Sequence, residues 1–384
     1  MNTLFEFIVI GAGFAGSVIA ERIANVLNKK VLVVEKRNHI GGNCFDYRNR
    51  HGIIVHKYGP HIFHTDYKEV VDYLSNFTDW RVYQHKVLAY IDGHKVPIPF
   101  NFKSIDILFP PEYARKLKEK LLNAYPYGAR VPILELKKIE DADLNFLADY
   151  IYQKVFLNYT AKQWGKRPEE IDSAVTARVP VCIGMDDRYF TDKYQLIPEE
   201  GYTKIFERML ANPNIKILLN TDFKELIKVD VEERKIYFLG KEFRGKLIFT
   251  GMIDELFDYR FGYLPYRSLK FRFEDIAKEF YQETATVNYP NDYDFTRITE
   301  FKHMHPLDTK HTTIVYEYPD EYTIGKVPYY PYFTQEARET YNRYLELASA
   351  FNNLVLVGRL AEYRYYDMDD VVKRALEVFE EEVK

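Results

Sequence analysis

The chain is poor in cysteine, with two residues in 384. Cys44 and Cys182 stand far apart and neither belongs to a CxxC pair. That argues against a disulfide framework or a zinc site and suits a reducing compartment. An excess of one charge is missing too: 53 Lys and Arg against 57 Asp and Glu leave a formal −4. The balance offers no basic field to nucleic acid or anionic lipid, so no nucleic-acid partner is expected. Long apolar runs are absent. The best candidate, Phe7 to Ala20, has no basic flank and carries three glycines at a meaningful spacing. It is also shorter than the roughly 20 residues a spanning helix needs. Neither a membrane span nor a signal peptide is expected, and the cytoplasm is the expected location. Repeats and flexible linkers are lacking, while 384 residues exceed the size at which a single core stops growing. Two or three interleaved domains follow.

Tyrosine and phenylalanine are abundant, at 33 and 27 residues. The tyrosines cluster, as in Tyr329-Tyr330-Pro331-Tyr332 and Tyr363-Arg364-Tyr365-Tyr366. A ring to stack on and a hydroxyl to hydrogen-bond suit a polar ligand with flat parts, with core packing as the competing role.

Phe7 to Ile10 reads as a buried strand, Gly11 to Gly16 as a turn, Ser17 to Leu27 as a helix and Val31 to Val34 as a second strand. Asp92-Gly93 between Val87 to Ile91 and His94 to Ile98 predicts a type I′ hairpin. Helical spacing prevails from Ile107 to Tyr159, including a helix opened by Pro110-Pro111 that carries Leu117, Leu121 and Leu122. Short alternating runs between residues 263 and 333 predict antiparallel sheet, and Tyr341, Tyr344, Leu345 and Ala348 mark a late helix. The expected fold class is α/β: a Rossmann-like FAD-binding domain with an inserted helical subdomain and an antiparallel β-sheet domain. The expected division gives residues 1–78, 200–256 and 350–384 to the FAD domain and 100–165 to the helical subdomain. Residues 79–99, 166–199 and 257–349 fall to the sheet and substrate domain.

Gly11-x-Gly13-x-x-Gly16 lies between strand and helix, and Glu35 ends the next strand. Gly11 permits the tight turn and Gly13 lets backbone approach a pyrophosphate. Gly16 permits close helix-strand packing, and Glu35 can accept from a ribose hydroxyl. Arg37-Asn38-His39-Ile40-Gly41-Gly42-Asn43 resembles the stretch by which many flavoproteins continue along the pyrophosphate, and Thr250-Gly251 resembles their second flavin-contact segment. FAD is therefore the expected dinucleotide.

Longer stretches resemble the bacterial UDP-galactopyranose mutase family. These are Val31 to Asn43, His56-Lys57-Tyr58-Gly59-Pro60-His61-Ile62-Phe63-His64, Asn158 to Gly165, Phe257 to Gly262, Tyr266-Arg267-Ser268-Leu269-Lys270-Phe271 and Gly358 to Met368. The matches keep order and approximate spacing from end to end. The resemblance implies an FAD enzyme that interconverts UDP-galactopyranose and UDP-galactofuranose without net redox. The flavin must be reduced; its N5 attacks the anomeric carbon and UDP is the leaving group. It also implies a UDP-sugar substrate, an electron donor such as NAD(P)H or a reductase, and a homodimer.

Residue by residue, the resemblance makes Arg178 and Arg297 the cations at the leaving diphosphate, where a guanidinium fork grips phosphate oxygens. Tyr189, Tyr330 and Tyr365 hold the same group. Tyr159, Thr160 and Trp164 clasp nucleotide and sugar, and Phe156 frames the uracil, with core packing the alternative for Phe156 and Tyr159. His61 and His64 lie beside the isoalloxazine, His64 suited to tuning proton transfer. Glu317 and Asp367 are acidic residues near the reacting atoms. Phe14, Ala15, Lys36, Arg37, Gly42, Asn43, Tyr58, Gly59, Arg359, Tyr366, Asp367 and Met368 join the glycines on the cofactor. His85 stands where some relatives have asparagine, which leaves acceptance of an N-acetylated galactose open. Ile171 to Val181 matches the family's mobile lid. His56, His61 and His64 form an HxxxxHxxH cluster, yet no acid or cysteine sits at ligand spacing, and no metal is expected.

Three other readings compete. An FAD amine oxidase or desaturase predicts an apolar channel in place of Arg and Tyr clusters. An NAD-dependent nucleotide-sugar dehydrogenase lacks a cysteine nucleophile context. A non-catalytic binding module leaves the joint presence of arginines, tyrosines and FAD segments unexplained.

Overall fold

The computed structural model describes residues 5–159, 162 and 180–384. The strand-turn-helix-strand start is present as Phe7–Ile10, the helix Phe14–Val26 and Val31–Val34. Three strands added far downstream complete a five-stranded parallel sheet. Its order is Ile215–Leu218, Val31–Val34, Phe7–Ile10, Lys246–Phe249, Leu354–Leu356. Alternate residues of these strands serve opposite cores: Val9, Val33 and Ile248 face one, and Ile8, Leu32 and Phe249 the other. Both faces are buried, which is why the strands read as unbroken apolar runs.

Helix Phe14–Val26 packs on the C-terminal helix Met368–Val378 over the first of these cores. On the other side lies helix Gln335–Ser349, in which Tyr344 and Ala348 are buried but Leu345 is exposed.

A third core holds the helical subdomain. The helix opened by prolines runs Pro111–Ala124; Leu117 and Leu121 are fully buried, whereas Leu122 points outward. Helix Ala142–Ile151 then continues into a π-helical turn, Tyr152–Leu157. Such single π turns recur at functional sites, and this one carries Val155 and Phe156 toward the cleft described below.

A seven-stranded sheet forms the other half of the molecule. Its order is Tyr330–Pro331, Tyr266–Ile276, Thr312–Glu321, Arg297–Glu300, Thr286–Asn288, Val87–Ile91, His94–Ile98. The last two strands are the anticipated hairpin, with Asp92 and Gly93 both at positive φ. The sheet is not purely antiparallel: Thr286–Asn288 and Val87–Ile91 run parallel, because the hairpin joins from a separate stretch of chain. A three-stranded antiparallel sheet not foreseen from the sequence joins Phe63–Thr65, Tyr194–Pro198 and Trp80–Val82.

The helix start is held tightly against the first strand. A Cβ placed on Gly16 would sit 2.0 Å from the Gly11 carbonyl oxygen, an atom of the turn backbone that cannot swing aside. Gly16→Ala is expected to push helix from turn and cost about 1–3 kcal/mol, read as a lowered Tm by differential scanning calorimetry; an unchanged Tm would contradict this packing.

Candidate active site

The glycine turn opens onto a cavity of about 230 Å³ at the carboxyl end of the parallel sheet. Gly11, Gly13, Phe14, Ala15, Glu35, Lys36, Arg37, Gly42, Thr250 and Gly251 line it. Gly13 caps helix Phe14–Val26 without a side-chain hydrogen bond, so the first N–H groups are open to an anion. Glu35 is shared by the turn and its own strand end. One oxygen accepts from the Ala12 N–H and the other from the Arg37 N–H, both at 2.9 Å. Arg37 lies 4.4 Å over the Tyr58 ring and donates to Asn43 at 2.9 Å. Its other terminal nitrogen, Nη1, is buried with no hydrogen-bond partner. An unsatisfied buried guanidinium nitrogen beside an open helix start suits a phosphate-bearing dinucleotide.

Asn43, His61, Tyr329, Arg359 and Met368 also line a second cavity of about 330 Å³, so the two form one continuous cleft. Arg359 is fixed there by hydrogen bonds to the carbonyls of Tyr366 and Tyr329, and stacks on Tyr330.

Arg297 sits within the second cavity. Burial alone would favour its neutral form. Glu317, directly opposite in the strand register with Nε to Oε1 at 3.4 Å, together with Tyr159, Tyr189 and Tyr330 outweighs burial, and the guanidinium stays charged. Nη2 donates to the Tyr159 hydroxyl at 2.7 Å, while Nε has ion-pair proximity but no aligned hydrogen bond. Burial, opposed by Arg297, pushes the Tyr159 hydroxyl above its ordinary range. Tyr330 and Tyr365 stack in parallel, ring centroids 4.9 Å apart. Tyr189 and Phe156 complete this wall. The result is a buried cation rimmed by tyrosine hydroxyls, which can grip a diphosphate and stabilise charge growing on it.

The histidines differ sharply from one another. His61 Nδ1 faces the Gly59 carbonyl at 2.8 Å and its own backbone N–H donates to His56 Nδ1, which in turn leaves His56 Nε2 for His305 at 3.3 Å. Burial pushes His61 down to about 4 and His305 to about 3, and holds His56 well below its usual value. These rings are neutral packing and hydrogen-bonding groups. Among the described residues no three His, Cys, Asp or Glu side chains are grouped to hold a metal. His85 is pushed to about 3 by burial, then by Arg297 and His64. His64 goes the other way: despite burial, Asp192, Asp367 and Asp369 raise it.

Most residues singled out in the sequence meet in this cleft, including Tyr58, Gly59, His61, His64, His85, Glu317, Asp367 and Met368. Two do not line it. Gly16 acts through packing alone, and the Tyr366 side chain turns toward Glu362 and Arg364 while only its carbonyl serves Arg359. Thr160, Trp164, Arg178 and most of the lid segment lie outside the described residues. Arg267, Asn288, Phe190 and Asp369 line the cleft without having been foreseen. Arg267 stood inside a quoted motif, so its charge was a usable signal. The other three carried none, because strand pairing and loop placement bring them in.

Fold and site together define a dinucleotide-binding α/β protein whose cofactor cavity runs into a cationic, tyrosine-lined cleft. A family model described as UDP-galactopyranose mutase matches residues 154–365, and a model for an NAD(P)-binding Rossmann-like domain matches 9–77. The chain is 34% identical to a dTDP-fucopyranose mutase of Escherichia coli, covering 97% of each. It is also 34% identical to the UDP-galactopyranose mutase of Mycoplasma pneumoniae, covering 97% of this chain and 94% of that one. A solved structure of reduced UDP-galactopyranose mutase shares the fold, with TM-score 0.71 at 16% identity over 99% of this chain and 94% of the other. A putrescine oxidase shares it more loosely, with TM-score 0.59 at 12% identity over 98% of each. The chain belongs to the UDP-galactopyranose mutase family.

Arg297→Ala is expected to weaken UDP binding by on the order of 100-fold, the worth of a charge-assisted hydrogen bond to phosphate in a buried site. Isothermal titration calorimetry checks this; affinity within a few-fold of wild type would remove Arg297 from the diphosphate site.

Proposed function

We propose that this chain interconverts the pyranose and furanose forms of a nucleotide-linked galactose, UDP-galactose first, with reduced FAD as cofactor. The observation that carries the reading is the continuity of the glycine-turn cavity with the cleft around Arg297. Gly11, Gly13, Glu35 and Arg37 would hold FAD in the glycine-turn cavity, which shares residues with the cleft around Arg297. When bound and reduced, FAD supplies a nucleophile for the anomeric carbon without net electron transfer.

The chain's own residues do the rest. Arg297, held charged by Glu317, steadies the leaving diphosphate, and the hydroxyls of Tyr159, Tyr189, Tyr330 and Tyr365 orient it. Arg178 joins this set in the proposal on the strength of the sequence resemblance. Burial of the cleft keeps water from a reactive sugar. A homodimer, a cytoplasmic location and reduction by NAD(P)H or a reductase belong to the same proposal. A second substrate, dTDP-fucopyranose, is favoured by the equal identity to the Escherichia coli relative.

Purified protein is expected to be yellow and, after dithionite reduction, to convert UDP-galactofuranose to the pyranose. UDP-galactose, UDP-N-acetylgalactosamine and dTDP-fucose compared side by side, with products separated chromatographically, rank the substrates. Consumption of electrons without isomerisation would replace the mutase by an oxidase.

A further inference from the structure

His64 sits on the strand Phe63–Thr65, paired with Tyr194–Pro198 so that His64 lies opposite Gln195. The loop before that partner strand brings Asp192 Oδ2 to 3.2 Å from His64 Nδ1. Phe190, on the same loop, stacks on the imidazole with centroids 3.7 Å apart and planes 16° from parallel. The loop is itself tied down. Gln195 Nε2 donates to the carbonyls of Phe190 and Asp192, and the Lys193 N–H donates to Asp66. His64 Nδ1 is fully buried, yet the side chain keeps 18% exposure, so what remains open is the part of the ring away from Asp192. His64 lines the same cleft as Arg297 and His85.

The charges around the ring come from three sides. Asp192 faces it from the loop, Asp367 and Asp369 from the start of the C-terminal helix, and His85, kept neutral, from the strand side. The Asp192 carboxylate, 3.2 Å from Nδ1, has ion-pair proximity without an aligned hydrogen bond; it favours the protonated ring, whose Nε2–H lies on the open side. Asp192 is not itself a lining residue of the cleft.

We infer that Asp192 is a positioning residue that holds His64 protonated and aimed at the sugar, making His64 the proton carrier of the ring interconversion. This rests on the mutase reading. Converting a pyranose to a furanose breaks the bond from the anomeric carbon to the ring oxygen, which must gain a proton to become a hydroxyl. It then forms a bond from that carbon to the neighbouring hydroxyl oxygen, which must lose one. His64 Nε2–H gives the first proton and Nε2 recovers the second, so the cycle consumes no proton and no electron. One histidine that stays in place serves both steps, and the reverse reaction uses the same transfers in the opposite order.

The sign of the pH dependence follows. Carboxylate contact raises His64, so the active, protonated ring is present at low pH and is lost as pH rises through its value. In Asp192→Asn that loss comes at lower pH. The test uses FAD-loaded protein with ¹⁵N-labelled histidine, the His64 signal being assigned by its absence in His64→Gln. The expected result is a His64 titration midpoint about one unit lower in Asp192→Asn. The alkaline limb of kcat should shift with it, kcat at neutral pH should fall by up to about 10-fold, the most a one-unit shift removes, and KM and flavin content should stay near wild type. Asp192→Glu is expected to restore the limb, and His64→Gln to abolish it. An unmoved His64 midpoint, or an unmoved limb beside a moved midpoint, overturns the inference. If Asp192→Asn does not fold, as read by its Tm, persistence of the wild-type limb in His64→Gln overturns it instead. Absence of any sugar interconversion in wild type would sink the mutase reading, while the ring titration would still decide whether Asp192 governs His64.

Discussion

The cleft depends on keeping a guanidinium charged where water is scarce. Removing Arg297 from solvent is costly, and an unpaired charge there would be untenable. Glu317 answers that cost because the sheet register places it opposite Arg297 on the next strand. Glu317 is almost fully buried while Arg297 keeps 25% exposure toward the cleft, so water screens their attraction only in part. A pair this close is also close to electrically neutral as a unit. In the proposed function, attraction for an incoming diphosphate would fall to the donor that Arg297 extends toward Tyr159 and to the tyrosine hydroxyls around it. In the proposed function the cleft tyrosines have a reason: hydroxyl dipoles would add phosphate-binding capacity without adding charges that each need a partner.

Histidine shows how placement overrides composition. His56, His61 and His64 lie within nine residues, and their spacing invites a common role. The structure separates them. The first two are kept neutral chiefly by burial, whereas His64 alone of the three meets carboxylates. The strand Phe63–Thr65 alternates its side chains between faces, so Phe63 enters the core while its neighbour His64 reaches the cleft.

The features legible in the sequence were those encoded locally. The glycine turn, the Asp92-Gly93 hairpin and the proline-opened helix each need only a few adjacent residues. Helical periodicity gave the right elements with faces slightly too wide, since Leu122 and Leu345 point to solvent. What escaped were partnerships across long stretches of chain. Asp192 and His64 are linked by a strand pairing that no local pattern announces, and Asn288 reaches the cleft only because a hairpin from elsewhere lies parallel beside its strand. Arg267 was present in a recognisable motif but read as part of a pattern rather than as a charge needing a destination.

The order of strands in the parallel sheet has a consequence for biosynthesis. The strand Phe7–Ile10 lies at the centre, flanked on one side by Lys246–Phe249, whose own outer neighbour is Leu354–Leu356. During translation the nucleotide-binding half therefore carries an open sheet edge until most of the chain has been made. Such exposed edges favour wrong pairings and aggregation, and distant contacts slow folding. The helical subdomain, built from sequence-local contacts, can mature while that edge waits. The glycine turn thus acquires its complete surroundings only once the distant strand Leu354–Leu356 and helix Met368–Val378 have been made, so completion of the nucleotide cavity waits on residues far downstream.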